Sequence, residues 1–338
     1  MTTEATRAPH GRTDFAARFV VRAAMMAPSV YNTQPWSFAS SRDVISVYAD
    51  PARALSHPDP AVREIVISGG GCLFNLWLAM RHLGFTSQVR LLPDPSRLDH
   101  LADVRWGRYS RPTAYEELLY GALARRRTHH GRFIGEPVAM PLINELSRLT
   151  HDERATLHVV GGAGRIRALA ELIRMAELTR RAELGIAAEP ARWGAAPRTG
   201  DGRGDGVAAG NGDLALNGSG FAGRHNGCDP RWPDSPLPGR TDDHALGVVA
   251  VLATRDDGPR DWLLAGQALQ RLLLHAAAHH VSAAFHAAPL VLSDYRRRIQ
   301  DEFTGGAHPQ LLLRLGQAAL DRDSTIPRHL VADALRES

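Results

Sequence analysis

The sequence predicts an α+β fold, an α/β sandwich made of two fused half-domains. Three observations carry this. Helical periods alternate with short strand-like runs along most of the 338 residues. Two of the helices, at 62–83 and 261–280, are apolar on nearly every side, which marks them as buried. Those two overlay without a gap: Arg63-Glu64-Ile65-Val66-Ile67-Ser68-Gly69 matches Arg260-Asp261-Trp262-Leu263-Leu264-Ala265-Gly266 in charge, apolar character and glycine, and each helix feeds a short strand.

Residues 14–27 carry apolar side chains at helical spacing (Phe15, Val20, Val21, Ala24, Met25) until Pro28, which disfavours helix in the residue before it. A loop follows, Ala27-Pro28-Ser29-Val30-Tyr31-Asn32-Thr33-Gln34-Pro35-Trp36, and then alternation over 37–48 that suits two strands with a turn at 40–43. The buried helix at 62–83 should close on Gly84 in a left-handed cap. Thr113-x-x-Glu116 reads as a capping box opening a helix through Tyr115, Leu118, Leu119 and Leu123 into Arg125-Arg126-Arg127-Thr128-His129-His130-Gly131-Arg132. Further helices read at 139–149 and 163–189, with a short strand at 156–160 between them. Residues 194–240 are dominated by Gly, Asp, Asn and Pro and carry too little apolar surface to offset their ordering entropy, so a lid or disordered loop is expected there. Order returns with a buried strand at 245–254, the helix at 261–280 and a strand at 310–315.

With 40 basic residues against 36 acidic ones the net charge is +4, and the arginines are interleaved with acids, which argues against a nucleic-acid surface. No apolar run approaches the roughly 20 residues that span a bilayer, and the first residues lack the apolar stretch of a secretory signal. A cytoplasmic protein with no nucleic-acid or membrane partner is expected. Cys72 in an apolar helix and Cys228 in a Gly-rich loop make neither a disulfide framework nor a metal site. His129-His130 and His279-His280 lack a second set of ligands at metal spacing. Nothing has the spacing of a catalytic triad, a P-loop or a dinucleotide fingerprint. The exception to the mixed charge is the run from Arg125 to Arg132, which reads either as a solvated helix end, where cations suit the dipole, or as an anion site.

Ala27-Pro28-Ser29-x-x-Asn32-x-Gln34-Pro35-Trp36 resembles the flavin loop of nitroreductases, in which a proline-ended helix presents Ser and Asn to the isoalloxazine. Arg126-Arg127-Thr128-x-His130 followed by Phe133 resembles the second nitroreductase motif, whose basic groups hold the FMN phosphate and the flavin's pyrimidine edge. Ordinary nitroreductases carry the arginine segment first; here the order is reversed. Their flavins sit at a dimer interface, with the arginine segment from one subunit and the Ser/Asn loop from the other. A fused pair that keeps one copy of each is the arrangement of the Acg family of FMN-binding proteins. The resemblance therefore implies a nitroreductase-like fold in which one chain forms a pseudo-dimer. Its first half would be residues 1–110 with the flavin loop, and its second half residues 111–338 with the Arg-Arg-Thr segment and a lid at 194–240. One FMN per monomeric chain is implied.

On that resemblance Ser29 and Asn32 would hydrogen-bond the flavin ring, with Gln34 beside them. Arg126 and Thr128 would lie near the phosphate or the pyrimidine edge, with Arg127 as neighbour. Arg328 is a second phosphate ligand by resemblance to the basic tail that closes nitroreductase sites, or else a solvated terminal arginine. His130 stands where the family has Lys or Arg, and a neutral histidine stabilises a reduced flavin's negative charge less than a permanent cation does. Tyr31 and Trp36 would wall the flavin or pack in the core. The implied function is an FMN-dependent oxidoreductase that passes hydride through flavin N5 between a reductant such as NAD(P)H and a small-molecule substrate. The alternative is an FMN-sequestering protein whose lid covers the ring and permits no turnover. Neither reading assigns a catalytic side chain or a metal.

Overall fold

A computed structural model describes residues 10–53, 60–129, 133, 136–183, 247–286, 288–318 and 328–337. In chain order these form α1 (His10–Ala24), a 3-10 turn (Val30–Asn32), β1 (Trp36–Ser41), β2 (Val44–Ala49), a second 3-10 turn (Pro51–Arg53), α2 (Pro60–His82), β3 (Phe85–Leu91) and β4 (His100–Tyr109). Then come α3 (Ala114–Ala122), α4 (Met140–Asp152), β5 (Thr156–Val159) and α5 (Ala163–Glu183). The remainder is β6 (Val248–Thr254), α6 (Pro259–Ala278), β7 (Ser282–His286), α7 (Ala288–Val291), α8 (Ser293–Phe303), β8 (His308–Gly316), α9 (Val331–Ala334) and β9 (Leu335–Glu337). The class is α+β, as expected. The lid expected at 194–240, and the end of the helix expected to reach 189, lie outside the described residues.

The first sheet has the order β3-β4-β2-β1-β9 and the second β5-β6-β8-β7. All neighbours are antiparallel except β9, which runs parallel to β1 with Leu335 opposite Phe38. Phe38, Ile45, Val47, Ala102 and Val104 of the first sheet share a core with α1, α2 and α3. Leu311, Leu313, Leu315, Ala250 and Leu252 of the second share a core with α6 and α4. No described helix is long and apolar enough to cross a membrane.

Local chemistry places the helix ends where the sequence reading puts them. Thr113 Oγ1 accepts the Glu116 backbone N–H at 3.2 Å while the Glu116 carboxylate accepts the Thr113 backbone N–H at 2.6 Å, and Arg81 reaches the same carboxylate at 2.7 Å. Gly84 has φ +85, the left-handed cap that closes α2.

Helices α2 and α6 pack against each other at a glycine crossing. The sequence overlay pairs Gly69 with Gly266, and the structure shifts this by one residue. A Cβ at Gly70 would overlap the Leu263 carbonyl oxygen, and a Cβ at Gly266 would overlap the Ile67 carbonyl oxygen. Each glycine therefore meets the carbonyl three residues before the other, a reciprocal contact. Gly69 lies instead against the Leu101 side chain. The overlay matches residue types along the chain, whereas the crossing is decided by which glycine points at the partner helix. One turn further on, Gln270 donates to Asn75 Oδ1 at 2.7 Å, and Asn75 donates to the Ala23 carbonyl of α1 at 3.1 Å.

A second polar knot holds the turn after β6. The Asp257 carboxylate accepts from Arg296 at 2.7 and 2.8 Å, from Trp262 Nε1 at 2.7 Å and from Gln310 Nε2 at 3.0 Å. Burial opposes its charge, but these donors, Arg296 first, outweigh it and hold the carboxyl well below the usual range.

Candidate functional site

The loop that follows α1 is anchored in both cores. Val30 packs with Ile67 and Phe285 in the second, and Trp36, 3% exposed, packs in the first, so Trp36 is a core residue. Between them Asn32 and Gln34 take left-handed conformations with φ +56 and +49, unfavourable for side chains with a Cβ. Short bonds hold this shape. Ser29 Oγ accepts the Gln34 N–H at 3.0 Å, the Asn32 N–H donates to the Ser29 carbonyl at 3.0 Å, and the Thr33 N–H donates to the Val30 carbonyl at 2.9 Å. Ser29, Asn32 and Gln34 are all buried.

The C-terminal segment closes over this loop. Because β9 adds to β1, the residues just before it arrive beside the loop. Arg328 donates to Asn32 Oδ1 and, at 3.3 Å, to the Met26 carbonyl. The His329 backbone N–H donates to Gln34 Oε1 at 3.1 Å. Arg53, from the turn after β2, donates to the Thr33 carbonyl at 3.3 Å and to His329 Nε2 at 2.7 Å. Arg328 is therefore not a solvated terminal arginine.

The arginine run splits into two behaviours after α3. Arg127 is exposed and donates to the carbonyls of Ala124 and Arg126 at 2.8 and 2.9 Å, which is the helix-end role. Arg126 turns inward. It is 4% exposed, and its Nε and Nη1 have no hydrogen-bond partner among the described residues. Burial, then the nearby charges of Arg328 and Arg127, push its guanidinium down to about 9. Burial and Arg127 likewise lower Arg328 to about 10. The next residue, Thr128, forms a parallel bridge to Ala283 of β7, reinforced by the His129 N–H on the Ala283 carbonyl at 2.8 Å. Phe133 is buried against Gly247 and Gly316 with Arg314 over its ring at 5.4 Å.

Arg328 thus touches Asn32 on one side and lies within electrostatic reach of Arg126 and Arg127 on the other. This brings together Ser29, Asn32, Gln34, Arg126, Arg127 and Arg328 from three distant parts of the chain, while Thr128 is anchored next to Arg127 on the β7 edge. His130 lies outside the described residues. Among the described residues, no carboxylate contacts any of the three arginines. A buried cation with two unused donors is costly unless an anion meets it, so the chemistry of the set is that of an anion site with strong bidentate donors. A phosphate-bearing, carbonyl-edged group such as FMN fits it. Met26, Arg53 and His329 complete the site and have no motif of their own; the one cue to His329 is its position next to Arg328.

The geometry defines a class, an α+β protein with a cationic site beside a Pro-Ser-x-x-Asn loop, and comparison with known proteins identifies it further. The chain is similar over 92% of its length, at 27% identity, to the Mycobacterium tuberculosis protein named "Putative NAD(P)H nitroreductase Rv3131", 87% of which is covered. Over 130 residues, 38% of this chain and 39% of that protein, it is 30% identical to "Putative NAD(P)H nitroreductase acg" of the same organism. No family model matches the chain. Similar solved structures include a nitroreductase with bound FMN from Desulfitobacterium hafniense, at 13% identity and a TM-score of 0.34, covering 63% of this chain and 93% of that one. Another is a nitroreductase-like family protein from Bacillus cereus, at 13% identity and a TM-score of 0.36, covering 64% and 93%. The long similarity is thus to a protein named as a nitroreductase, the family that the chain's two motifs resemble.

Proposed function

We propose that this protein is an FMN-dependent oxidoreductase with one composite flavin site per chain, acting on a small-molecule substrate with NAD(P)H as a candidate reductant. The observation that carries this is the buried Arg126 guanidinium, whose Nε and Nη1 lack partners among the described residues and whose neighbours include two further arginines. FMN, when bound, supplies a carrier that takes and gives hydride at N5.

The chain's own residues supply the rest. Arg126 and Arg328 would meet the phosphate or the pyrimidine edge, with Arg127 adding charge from the rim. The Asn32 carbonyl oxygen already accepts from Arg328, which fixes the orientation of its amide toward a ring. The Ser29 hydroxyl accepts from Gln34 and keeps its proton for donation to the ring. Donors of this kind, aimed at a ring edge that gains negative charge on reduction, stabilise the reduced state. The reciprocal crossing at Gly70 and Gly266 supports the reading of the chain as a pseudo-dimer, with halves at 1–110 and 111–338. A site completed within one chain has no need of a second copy, so a monomer that binds neither nucleic acid nor membrane is the expected form.

The test is the visible absorbance of the purified protein before and after NADH and NADPH are added separately under nitrogen. A flavin band that bleaches with either nucleotide supports the oxidoreductase reading. A band that yields only to a small chemical reductant replaces it with the flavin-sequestering alternative. A protein that stays colourless after incubation with FMN overturns both.

A further inference from the structure

After α3 the arginine run touches the second sheet at two places. The first contact is backbone: Thr128 bridges Ala283 of β7, and the His129 N–H donates to the Ala283 carbonyl at 2.8 Å. The second is a side chain. Phe133 is 2% exposed, yet among the described residues it belongs to none of the three apolar cores. Its ring lies in a notch made by two glycines, Gly247 just before β6 and Gly316 at the end of β8. A Cβ on Gly316 would overlap the Cβ, Cγ and Cδ1 of Phe133, and one on Gly247 would overlap its Cδ2. The Arg314 guanidinium stands over the ring at 5.4 Å, and the His129 ring is 4.9 Å away. A ring laid over strand glycines supplies the apolar cover that their missing side chains do not. We propose that Phe133 is a positioning residue of the anion site: seated between Gly247 and Gly316, it fixes the segment that carries Arg126, Arg127 and Thr128, so that emptying the notch weakens ligand binding.

The two contacts grip one rim. Leu315 of β8 pairs with Ala283 of β7 on one side and with Val248 of β6 on the other, and Gly316 pairs with Ser282. Backbone bridge and ring therefore rest on adjacent ends of three strands, with β8 in the middle. The ring is needed because the bridge alone is weak. It joins a single pair of residues, while Arg126 is buried with the like charges of Arg127 and Arg328 nearby, which drives the segment toward solvent when no anion is bound. Burial of an aromatic ring opposes that drive without depending on a ligand. Donors that recognise an anion lose much of their worth when displaced by about 1 Å, so the ring acts on binding through the segment it holds. The inference rests on the reading of the arginine set as a flavin site, but the anchor is independent of the ligand.

Two measurements separate the anchor from the flavin reading. In the flavin-free full-length protein, hydrogen–deuterium exchange is followed in the peptide containing residues 122–129. Phe133→Ala empties the notch, and Gly316→Ala evicts the ring with a methyl; both should speed exchange in this peptide. Gly247 has φ +70 and lies on the Leu315 carbonyl, so Gly316 is the cleaner probe and serves if Phe133→Ala folds poorly. Both substitutions act through one contact, so the double variant should exchange no faster than the worse single one. Phe133→Leu keeps a Cβ, a Cγ and two Cδ atoms against the glycines and should restore protection. FMN affinity, read by fluorescence titration, should follow the same order. It should weaken roughly 10- to 150-fold in Phe133→Ala, the range for one lost charge-assisted hydrogen bond, and recover in Phe133→Leu. Asp257→Asn loosens the polar knot at the opposite end of β6 and β8, controls for stability, and should bind FMN as wild type does. Unchanged exchange in the single variants, additive effects in the double one, faster exchange with unchanged FMN affinity, or an affinity loss shared by Asp257→Asn each overturns the proposal. A wild type that never binds FMN removes the flavin reading and leaves the anchor to the exchange result.

Discussion

Replacing Arg126 with methionine should stabilise the flavin-free protein and weaken flavin binding, two effects of opposite sign from one side chain. The guanidinium is 4% exposed, its Nε and Nη1 have no partner among the described residues, and burial with Arg328 and Arg127 lowers it to about 9. At about 1.4 kcal/mol per tenfold change, holding that charge without a ligand anion costs on the order of 5 kcal/mol. Methionine keeps the length and apolar stem without the charge. Exchanges of buried charge for apolar side chains stabilise by about 1–4 kcal/mol, so a rise of several degrees in the melting temperature of the flavin-free protein is expected. In the loaded protein the variant lacks charge-assisted hydrogen bonds worth about 1.5–3 kcal/mol, a roughly 10- to 150-fold weaker Kd for FMN. The sign of the pH effect follows. Because the folded form holds this proton less tightly than the unfolded form, the penalty is fully present below about 9 and is relieved as pH rises through that value toward the ordinary guanidinium range. The flavin-free wild type should therefore gain unfolding free energy above about pH 9 relative to Arg126→Met, and no lysine titrates across that window because the chain contains none. Thermal melts of stripped protein and fluorescence titration with FMN provide the readouts. A flavin-free variant that melts at or below wild type, or an unchanged FMN affinity, refutes the reasoning.

Gly70→Ala should cost about 1–3 kcal/mol despite alanine's better helix propensity, because the new methyl meets the Leu263 backbone carbonyl and the two helices must part. Gly69→Ala meets only the end of the Leu101 side chain, which can turn away, so its denaturation midpoint should fall less. Asn75→Leu leaves the Gln270 amide and the Ala23 carbonyl without their partner and should cost about 1–3 kcal/mol; adding Gln270→Leu should return part of it, a non-additivity that a double-mutant cycle in urea would read. Asp257→Asn should destabilise by about 2 kcal/mol at neutral pH, a figure reduced for partial solvent access. Its carboxyl is held below the ordinary range, so the wild-type advantage over the variant is complete above about pH 4 and should shrink as pH falls below it.

Most elements are legible in the sequence because they rest on local signals. The period of α2 and α6, the alternation of β1 and β2, and the Thr113-Glu116 box each depend on residues within a few positions of one another. The elements that escape are those whose pattern is set by partners elsewhere. In β4, HLADVRWGRY, the alternation of Ala102, Val104 and Trp106 with Asp103 and Arg105 is short and is lost at Gly107, and the strand continues to Tyr109 with β3 and β2 paired on its two sides. In α8, SDYRRRIQDEF, only Ile299 and Phe303 are buried, too few to mark a face. The three residues of β9 have no signal of their own and are ordered by pairing with β1. The site divides the same way. Ser29, Asn32, Gln34 and the Arg126 to Thr128 segment lie in two compact motifs, whereas the roles of Arg53 and His329 depend on where β9 docks. The register of the glycine crossing is lost for a related reason, since a one-residue shift changes which face of a helix meets its partner but hardly changes the match of residue types.

The site concentrates arrangements that a chain selected for stability alone would avoid. Asn32 and Gln34 occupy left-handed backbone where glycine would cost less, at about 1–3 kcal/mol each, and three arginines converge without a carboxylate among the described residues. Glycine at 32 and 34 with methionine at 126 would remove these costs locally. It would also remove the two side-chain amides by which the C-terminal segment grips the loop, and a buried guanidinium with two donors unused among the described residues. Strain and unmatched charge therefore fall on the same residues that can recognise a ligand, and both are of the kind an acceptor-rich anion relieves. Since Arg328 lies a few residues before β9, the pairing of β9 with β1 is what brings the third contributing segment beside the other two.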